Sequence, residues 1–356
     1  MRKLFLATLL LGSALMVNAQ SGTNSPYSQY GLGILSDQTS GFNRGMNGVG
    51  LGFHEHNQVN YLNPASYASI DSMTFILDAG ISGQVTNFEE NDVTKKTGVK
   101  KKKNANNSNF EYVVAGFRLL PHVGMSFGII PFTNVGYNYY QSKPKDMPSD
   151  MDFDYTNTYS GDGGLHQAYI GAGWEPVKGL AVGANFSYLW GSIDRSVANS
   201  YSNSYYKTLT RYYSMQVNSY KVDFGVQYTH QFSKKDWATV GVTFSPGHGL
   251  GASADMKIIS NDTQNGVTDT TAYSIGKAYK LPTMIGAGVM WNHNNQWKVG
   301  FDYSLQKWGS LGYPSFDGTN YALKNGIYKD RSKFNLGAQY CYGERSRAFF
   351  KRVQYR

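Results

Sequence analysis

Residues 180–190 read LAVGANFSYLW, and the two faces of that stretch differ in chemistry. Side chains alternate across a strand. Leu180, Val182, Ala184, Phe186, Tyr188 and Trp190 therefore share one face, and Ala181, Gly183, Asn185, Ser187 and Leu189 the other. The sorting recurs in Tyr220–Thr229, where Tyr, Val and Phe oppose Lys221, Asp223, Gly225, Gln227 and Thr229. Trp297–Gln306 repeats it, with Lys298, Gly300, Asp302, Ser304 and Gln306 on the polar side; Phe334–Gly343 does so with Asn335, Gly337, Gln339 and Cys341. A β-sandwich shares the alternation, but its interior favours aliphatic Val, Ile and Leu. Here the apolar face is heavy in Tyr and Trp, whose polar tips suit a lipid headgroup boundary. The expected fold class is all-β, a transmembrane antiparallel β-barrel.

The connections extend this reading. About eleven strands are expected, at 72–86, 109–119, 123–141, 164–174, 180–192, 215–230, 237–258, 275–292, 297–308, 333–343 and 348–356. Long and short connections alternate between them. The long ones are 87–108, 142–163, 193–213, 259–271 and 309–332. Long extracellular loops and short periplasmic turns are the outer-membrane pattern. Single-chain bacterial barrels have even strand numbers, and the sequence stops at Arg356 inside a strand-like run, RAFFKRVQYR. About three further strands are expected beyond it.

Length, charge and cysteine usage agree with a secreted chain. In Met1–Gln20, Arg2 and Lys3 precede an apolar core from Leu4 to Met16 and the small-residue site Val17-Asn18-Ala19. That pattern is a secretory signal peptide, with cleavage expected after Ala19. No later window has the roughly 20 apolar residues of a membrane helix. Among 356 residues there are 40 Gly, 28 Tyr and 19 Phe, with a mean hydropathy of −0.43. Alternating rather than continuous hydrophobicity explains that low mean. Cys341 is the one cysteine, so an internal disulfide framework is excluded. The formal charge is +9, or +7 once Arg2 and Lys3 leave with the leader. Much of the excess sits in Lys95–Lys103 and Arg345–Arg356, too local to suggest nucleic acid. The expected domains are a signal peptide at 1–19, an N-terminal hatch at 20–71 and a barrel at 72–356.

The hatch expectation rests on residues 40–79, SGFNRGMNGVGLGFHEHNQVNYLNPASYASIDSMTFILDA. Five glycines (Gly41, Gly45, Gly48, Gly50, Gly52) precede Asn63-Pro64-Ala65, and the first clean strand follows. Glycine tolerates backbone angles that other residues avoid, and Pro64 removes a backbone donor. Such a segment cannot be a membrane strand, but it can fold inside a barrel. This order of parts resembles the long-chain fatty acid transporter (FadL) family, in which an N-terminal hatch with an Asn-Pro-Ala motif plugs a barrel of about fourteen strands, an even number as such barrels require. A second match lies at Tyr279–Ser310, with Leu281-Pro282, Trp297, Gly300-Phe301-Asp302-Tyr303 and Trp308. Together they cover about a fifth of the chain. The opening NSPYSQYGLG (residues 24–33) and the polar middle loops look like the Bacteroidetes branch of that family.

The resemblance implies passive uptake of hydrophobic small molecules, long-chain fatty acids or similar, across the outer membrane. A ligand would be captured outside and released laterally through a strand kink when the hatch shifts. Asn63, Pro64 and Ala65 would be the gating residues. The implied partners are outer-membrane lipid, lipopolysaccharide, the hydrophobic ligand and other outer-membrane proteins, with no nucleic acid. The rival expectation is an accessory barrel of an outer-membrane assembly or type 9 secretion complex.

No constellation of acid, base and nucleophile stands out, so no enzyme and no cofactor are expected. Gly124-Met125-Ser126-Phe127-Gly128 matches a nucleophile elbow, but that motif needs a strand-to-helix turn, and here it falls inside an expected strand. His54-Glu55-His56 lacks the third and fourth ligands of a metal site, so exposed hatch residues are expected. Lys95, Lys96 and Lys100–Lys103 suit either a solvated loop or contact with lipopolysaccharide phosphates. Tyr201–Tyr213 is Tyr- and Ser-rich, a surface for membrane anchoring, ligands or partners.

Overall fold

The computed structural model describes residues 23–91, 100–142, 155–203, 205–343 and 346–356. The signal-peptide expectation and Lys95 and Lys96 lie outside them. A short strand β1 (Ile34–Leu35) and a one-turn helix α1 (Gly41–Gly45) come first, then a 3-10 turn, Pro64–Ser69. The long strands follow: β2 (Phe75–Asn91), β3 (Lys100–Leu120), β4 (Val123–Ser142), β5 (Tyr155–Val177), β6 (Leu180–Tyr201) and β7 (Thr208–Gln231). Next come β8 (Asp236–Ser245), β9 (Ala254–Asp262), β10 (Val267–Ile275), β11 (Met284–His293) and β12 (Trp297–Gln306). The last elements are β13 (Tyr313–Phe316), β14 (Tyr321–Lys324), β15 (Arg331–Cys341), helix α2 (Phe349–Arg352) and β16 (Gln354–Tyr355).

One antiparallel sheet runs β16-β15-β12-β11-β8-β7-β6-β5-β4-β3-β2. Eleven strands lie on this path, the number read from the sequence, but several bounds differ. The expected strand 237–258 breaks after Ser245, where Pro246 has no N–H for a ladder and the glycine-rich run that follows keeps only an isolated bridge, Gly249 to Lys280. Its second half, β9, instead pairs with β10 and with the upper part of β7. The expected strand 348–356 is interrupted by α2 over four of its nine residues, with only Gln354–Tyr355 paired to β15. Several expected long loops shrink because the strands run on through Ser-, Thr- and Tyr-rich sequence, hydrogen-bonding one another. The 24 residues of β7 span about 80 Å, whereas crossing a bilayer takes about 9–11 tilted residues.

The exterior is apolar where lipid would be. Leu180, Tyr228, Val240, Val289, Phe301 and Leu336 are cross-strand neighbours on six successive strands. Most of that row is strongly exposed, Tyr228 at 51% and Leu336 at 66%. On β6 the outward series ends at Tyr188 and Trp190 and gives way to Ser192, Asp194 and Ser196. Trp291 and Trp297 mark the short-turn end. An apolar band bounded by aromatics is the exterior of an outer-membrane β-barrel. The short turns are tight. Between His293 and Trp297, Asn294 and Asn295 both take positive φ, 55° and 54°, and the Gln296 N–H donates to the His293 carbonyl at 3.0 Å, the geometry of a type I′ turn.

Candidate functional site

Residues 34–71 lie against the inner face of the curved sheet. Asn63 opens the Pro64–Ser69 turn as its cap. Its Oδ1 accepts from the Ala65 N–H at 3.1 Å, and its Nδ2 donates to the Leu51 carbonyl at 2.7 Å. Pro64 stands at the first position of the turn, where a missing N–H costs nothing. Asn63, Pro64 and Ala65 are all buried.

What receives this turn is a track of glycines. Gly124, Gly173, Gly183 and Gly225 are successive cross-strand partners on β4, β5, β6 and β7. A Cβ at Gly173 or Gly183 would stand 2.5 Å from the Pro64 carbonyl oxygen. At Gly124 it would collide with the Tyr67 carbonyl, and at Gly225 with Asn63 Oδ1, closer still. Removing four side chains in register cuts a shallow groove into the wall that a bare backbone can enter. Gly241 and Gly337 make the same kind of approach to Leu51 and Met46.

An irregular chain inside a barrel has backbone groups that no ladder satisfies. The inner wall supplies partners. Asp302 Oδ2 accepts from the N–H groups of Gly50 (2.6 Å) and Leu51 (2.9 Å). Gln227 Nε2 donates to the carbonyls of Leu51 and Phe53, and Asn335 Nδ2 to that of Gly48. Tyr67 OH donates to Asn185 Oδ1 at 3.1 Å. The inward Asp, Asn and Gln residues thus serve the inserted segment as well as any solvent.

His54-Glu55-His56 departs from the exposed state expected of it. Glu55 forms an ion pair with Lys298 on β12, with side-chain exposures of 12% and 6%. Lys298 reaches Glu55 from the short-turn end of the barrel and fixes the segment there. The His54 ring lies 5.6 Å from that of Trp237. Burial, reinforced by Lys298, holds its pKa down to about 4, since both disfavour the charged imidazolium. Only His56 faces solvent. Among the described residues no group of three or more His, Cys, Asp or Glu is placed to hold a metal.

Between β3 and β4 the wall is interrupted. β3 and β4 pair from Leu120–Val123 up to Val113–Ile129 and no further. Above that level the free edge of β4 is taken by the N-terminal segment: Ile34 and Leu35 pair with Asn134 and Thr133, the Ser36 N–H donates to the Phe132 carbonyl, and Gln38 Nε2 to that of Pro131. Pro131 has no N–H to offer, and the β4–β5 register shifts between it and Thr133. Residues 34–38 therefore seal a gap in the barrel wall.

Behind the seal is a cavity of about 370 Å³. Leu35, Ile130, Phe132 and Met284 give it an apolar side, while Lys221, Asp223, Arg331 and Lys333 give it a charged one. On the loop side it is closed by a packed apolar cluster that includes Leu32, Phe132, Leu165, Leu189, Ile193, Met215, Val217, Leu250 and Trp308. On the opposite side lies the inserted segment, through Leu51, Tyr61 and Leu62.

Ser126 of the elbow-like motif points inward from β4. Its Oγ donates to the Ala115 carbonyl (2.9 Å) and meets Tyr169 OH at 2.8 Å, a structural position. Lys100–Lys103 open β3. In the Tyr-rich stretch, Tyr205 is 80% exposed. The glycine track and Pro131 are what the sequence reading missed. Their signal was present, since one inward glycine recurs in strand after strand and a proline inside a strand pattern marks an edge or bulge.

Known proteins place this geometry. The fold resembles a Pseudomonas aeruginosa FadL homologue (TM-score 0.59, 12% identity, covering 88% of this chain and 78% of that one). It also resembles the Ralstonia pickettii toluene transporter TbuX (TM-score 0.55, 14% identity, 86% and 83% coverage). A third likeness is to the Pseudomonas putida toluene transporter TodX (TM-score 0.54, 14% identity, 87% and 82%). At these identities the likeness establishes a shared fold. No curated protein matches the chain in sequence. The FadL resemblance read from the sequence therefore holds at the level of fold, while the family whose model matches is a different one, BamG, over residues 1–356. The chain belongs to the BamG family.

Proposed function

We propose that this barrel admits small hydrophobic molecules across the outer membrane, with residues 40–71 as a hatch and residues 34–38 as the seal of a lateral path. One observation carries the reading: the β3–β4 ladder stops at Val113–Ile129, and above it the edge of β4 is covered by the two-residue strand β1 and residues 36–38, which also line the cavity. The related folds named as toluene transporters are consistent with it. To receive a ligand as long as a fatty acid, the packed cluster on the loop side would have to open. Lipid and lipopolysaccharide surround the barrel in this reading, the latter near the lysines of residues 95–103.

The test is to lock the seal. Leu35→Cys with Thr133→Cys, in a Cys341→Ser background, joins β1 to β4. Oxidation should abolish toluene uptake by proteoliposomes, and reduction should restore it. Uptake unchanged by oxidation, with the disulfide verified, overturns the lateral path.

A second reading, an accessory barrel within an outer-membrane assembly or secretion complex, draws on a different observation. Much of the interior is filled: a packed apolar cluster lies on the loop side and, beyond the cavity with its paired charges, a segment held by a buried ion pair. A barrel that works by holding partners has no need of a clear path. Recovery of stoichiometric large partners from native membranes, together with no toluene flux, would favour this reading.

A further inference from the structure

We propose that the cavity behind the seal binds a zwitterionic molecule with an apolar body, such as an apolar amino acid or short peptide, rather than a pure hydrocarbon. The inference rests on the uptake reading and changes the ligand it holds: toluene would pass an opened seal without being bound in the cavity, whereas a molecule carrying both charges would be held there.

The argument begins with charge. Three acidic residues (Asp37, Asp223, Asp302) and three basic ones (Lys221, Arg331, Lys333) line the cavity. Asp302 already accepts from two backbone N–H groups of the inserted segment. Lys221 and Asp223 form a pair with side-chain exposures of 11% and 19%, and Lys333 pairs with Asp37 at 3.0 Å. Arg331 makes no ion pair among the described residues. The lining is thus balanced in sign, with both signs within one chamber.

A hydrocarbon entering here would displace water from these groups and return no hydrogen bond, a loss that polar desolvation makes costly. An anion or a cation alone would match one half of each pair and oppose the other. A zwitterion satisfies both signs at once, its ammonium toward Asp37 or Asp223 and its carboxylate toward Arg331, Lys333 or Lys221. The apolar side, Leu35, Ile130, Phe132 and Met284, takes the side chain of the ligand.

Four probes that share a phenyl ring separate the classes: L-phenylalanine, 3-phenylpropionate, 2-phenylethylamine and toluene. Each is titrated into the purified full chain in detergent while thermal unfolding is followed. Phenylalanine should raise the melting temperature and the other three should not. Asp223→Asn and Lys333→Gln should each weaken the phenylalanine effect about tenfold. Arg331→Gln strands no ion-pair partner and so covers the case in which the others fail to fold; it should weaken the effect in the same direction. Stabilisation by toluene with none by phenylalanine would overturn the inference and leave the uptake reading standing. Stabilisation by phenylalanine that all three variants retain would overturn it too, since binding would lie elsewhere. No stabilisation by any probe overturns it; whether the uptake reading then falls as well is decided separately by the disulfide-locked seal.

Discussion

Gly183 on β6 lies directly beneath Pro64: a Cβ added to Gly183 would stand 2.5 Å from the Pro64 carbonyl carbon. A motif on an irregular segment and a glycine on a membrane strand are thus two halves of one contact. Neither half has an evident reason without the other.

Gly183→Val should therefore lift the Asn63–Ala68 turn off the wall. Overpacking of this kind costs about 1–3 kcal/mol, and the folded, heat-modifiable band on a gel should weaken at lower temperature than in the parent. Gly83→Ala on β2, where an added Cβ meets nothing within 4 Å, is the control and should behave as the parent.

The Asn63-Pro64-Ala65 turn can be tested residue by residue. Asn63→Ala removes the cap on the Ala65 N–H and the donor to the Leu51 carbonyl, at a cost of about 1–2 kcal/mol. Asn63→Asp keeps the cap but cannot donate to Leu51, so it should be nearly as harmful. Pro64→Ala frees the backbone of the turn and should loosen the segment with little effect on the barrel. If Pro64→Ala matches the parent in toluene uptake, the motif has no gating role.

The Glu55–Lys298 pair should follow the rule for buried ion pairs. Glu55→Gln or Lys298→Met alone strands a charge and should destabilise by about 3–5 kcal/mol. The double variant Glu55→Gln with Lys298→Met should recover most of that loss. Urea unfolding of all three variants reads the cycle, and additive losses would show that the two side chains do not depend on each other.

Much of this was legible in the sequence. The alternation at Leu180–Trp190, Tyr220–Thr229 and Trp297–Gln306 has the orientation the structure shows, because one face had to be apolar and the other could not be. Less legible was the loop side. Leu165, Leu189, Ile193, Met215 and Val217 point inward there and make an apolar cluster, while the exterior turns polar. Strands that leave the membrane exchange the chemistry of their faces, so a search for apolar exteriors reads them as loops. The glycine track was hidden for another reason. It is a relation between four strands, and register is not written in any one of them.

His54 supplies a pH dependence. Its pKa is held down to about 4 in the folded chain, from the usual 6.5. Between those values the unfolded chain binds more protons, so stability rises with pH across this window. It is fully present above 6.5 and is lost as pH falls toward 4. His54→Phe should flatten that slope in thermal unfolding across the same window, leaving the behaviour at neutral pH and above unchanged.

The claim that residues 40–71 sit inside the barrel is tested most directly by thiol accessibility. Ser66 is 3% exposed and Ser72, just before β2, is exposed. With Cys341 replaced by Ser, Ser66→Cys and Ser72→Cys are treated in isolated outer membranes with a membrane-impermeant maleimide. The account predicts rapid labelling at position 72 and none at 66 until the protein is unfolded. Labelling of both positions at the same rate in the folded protein would contradict it.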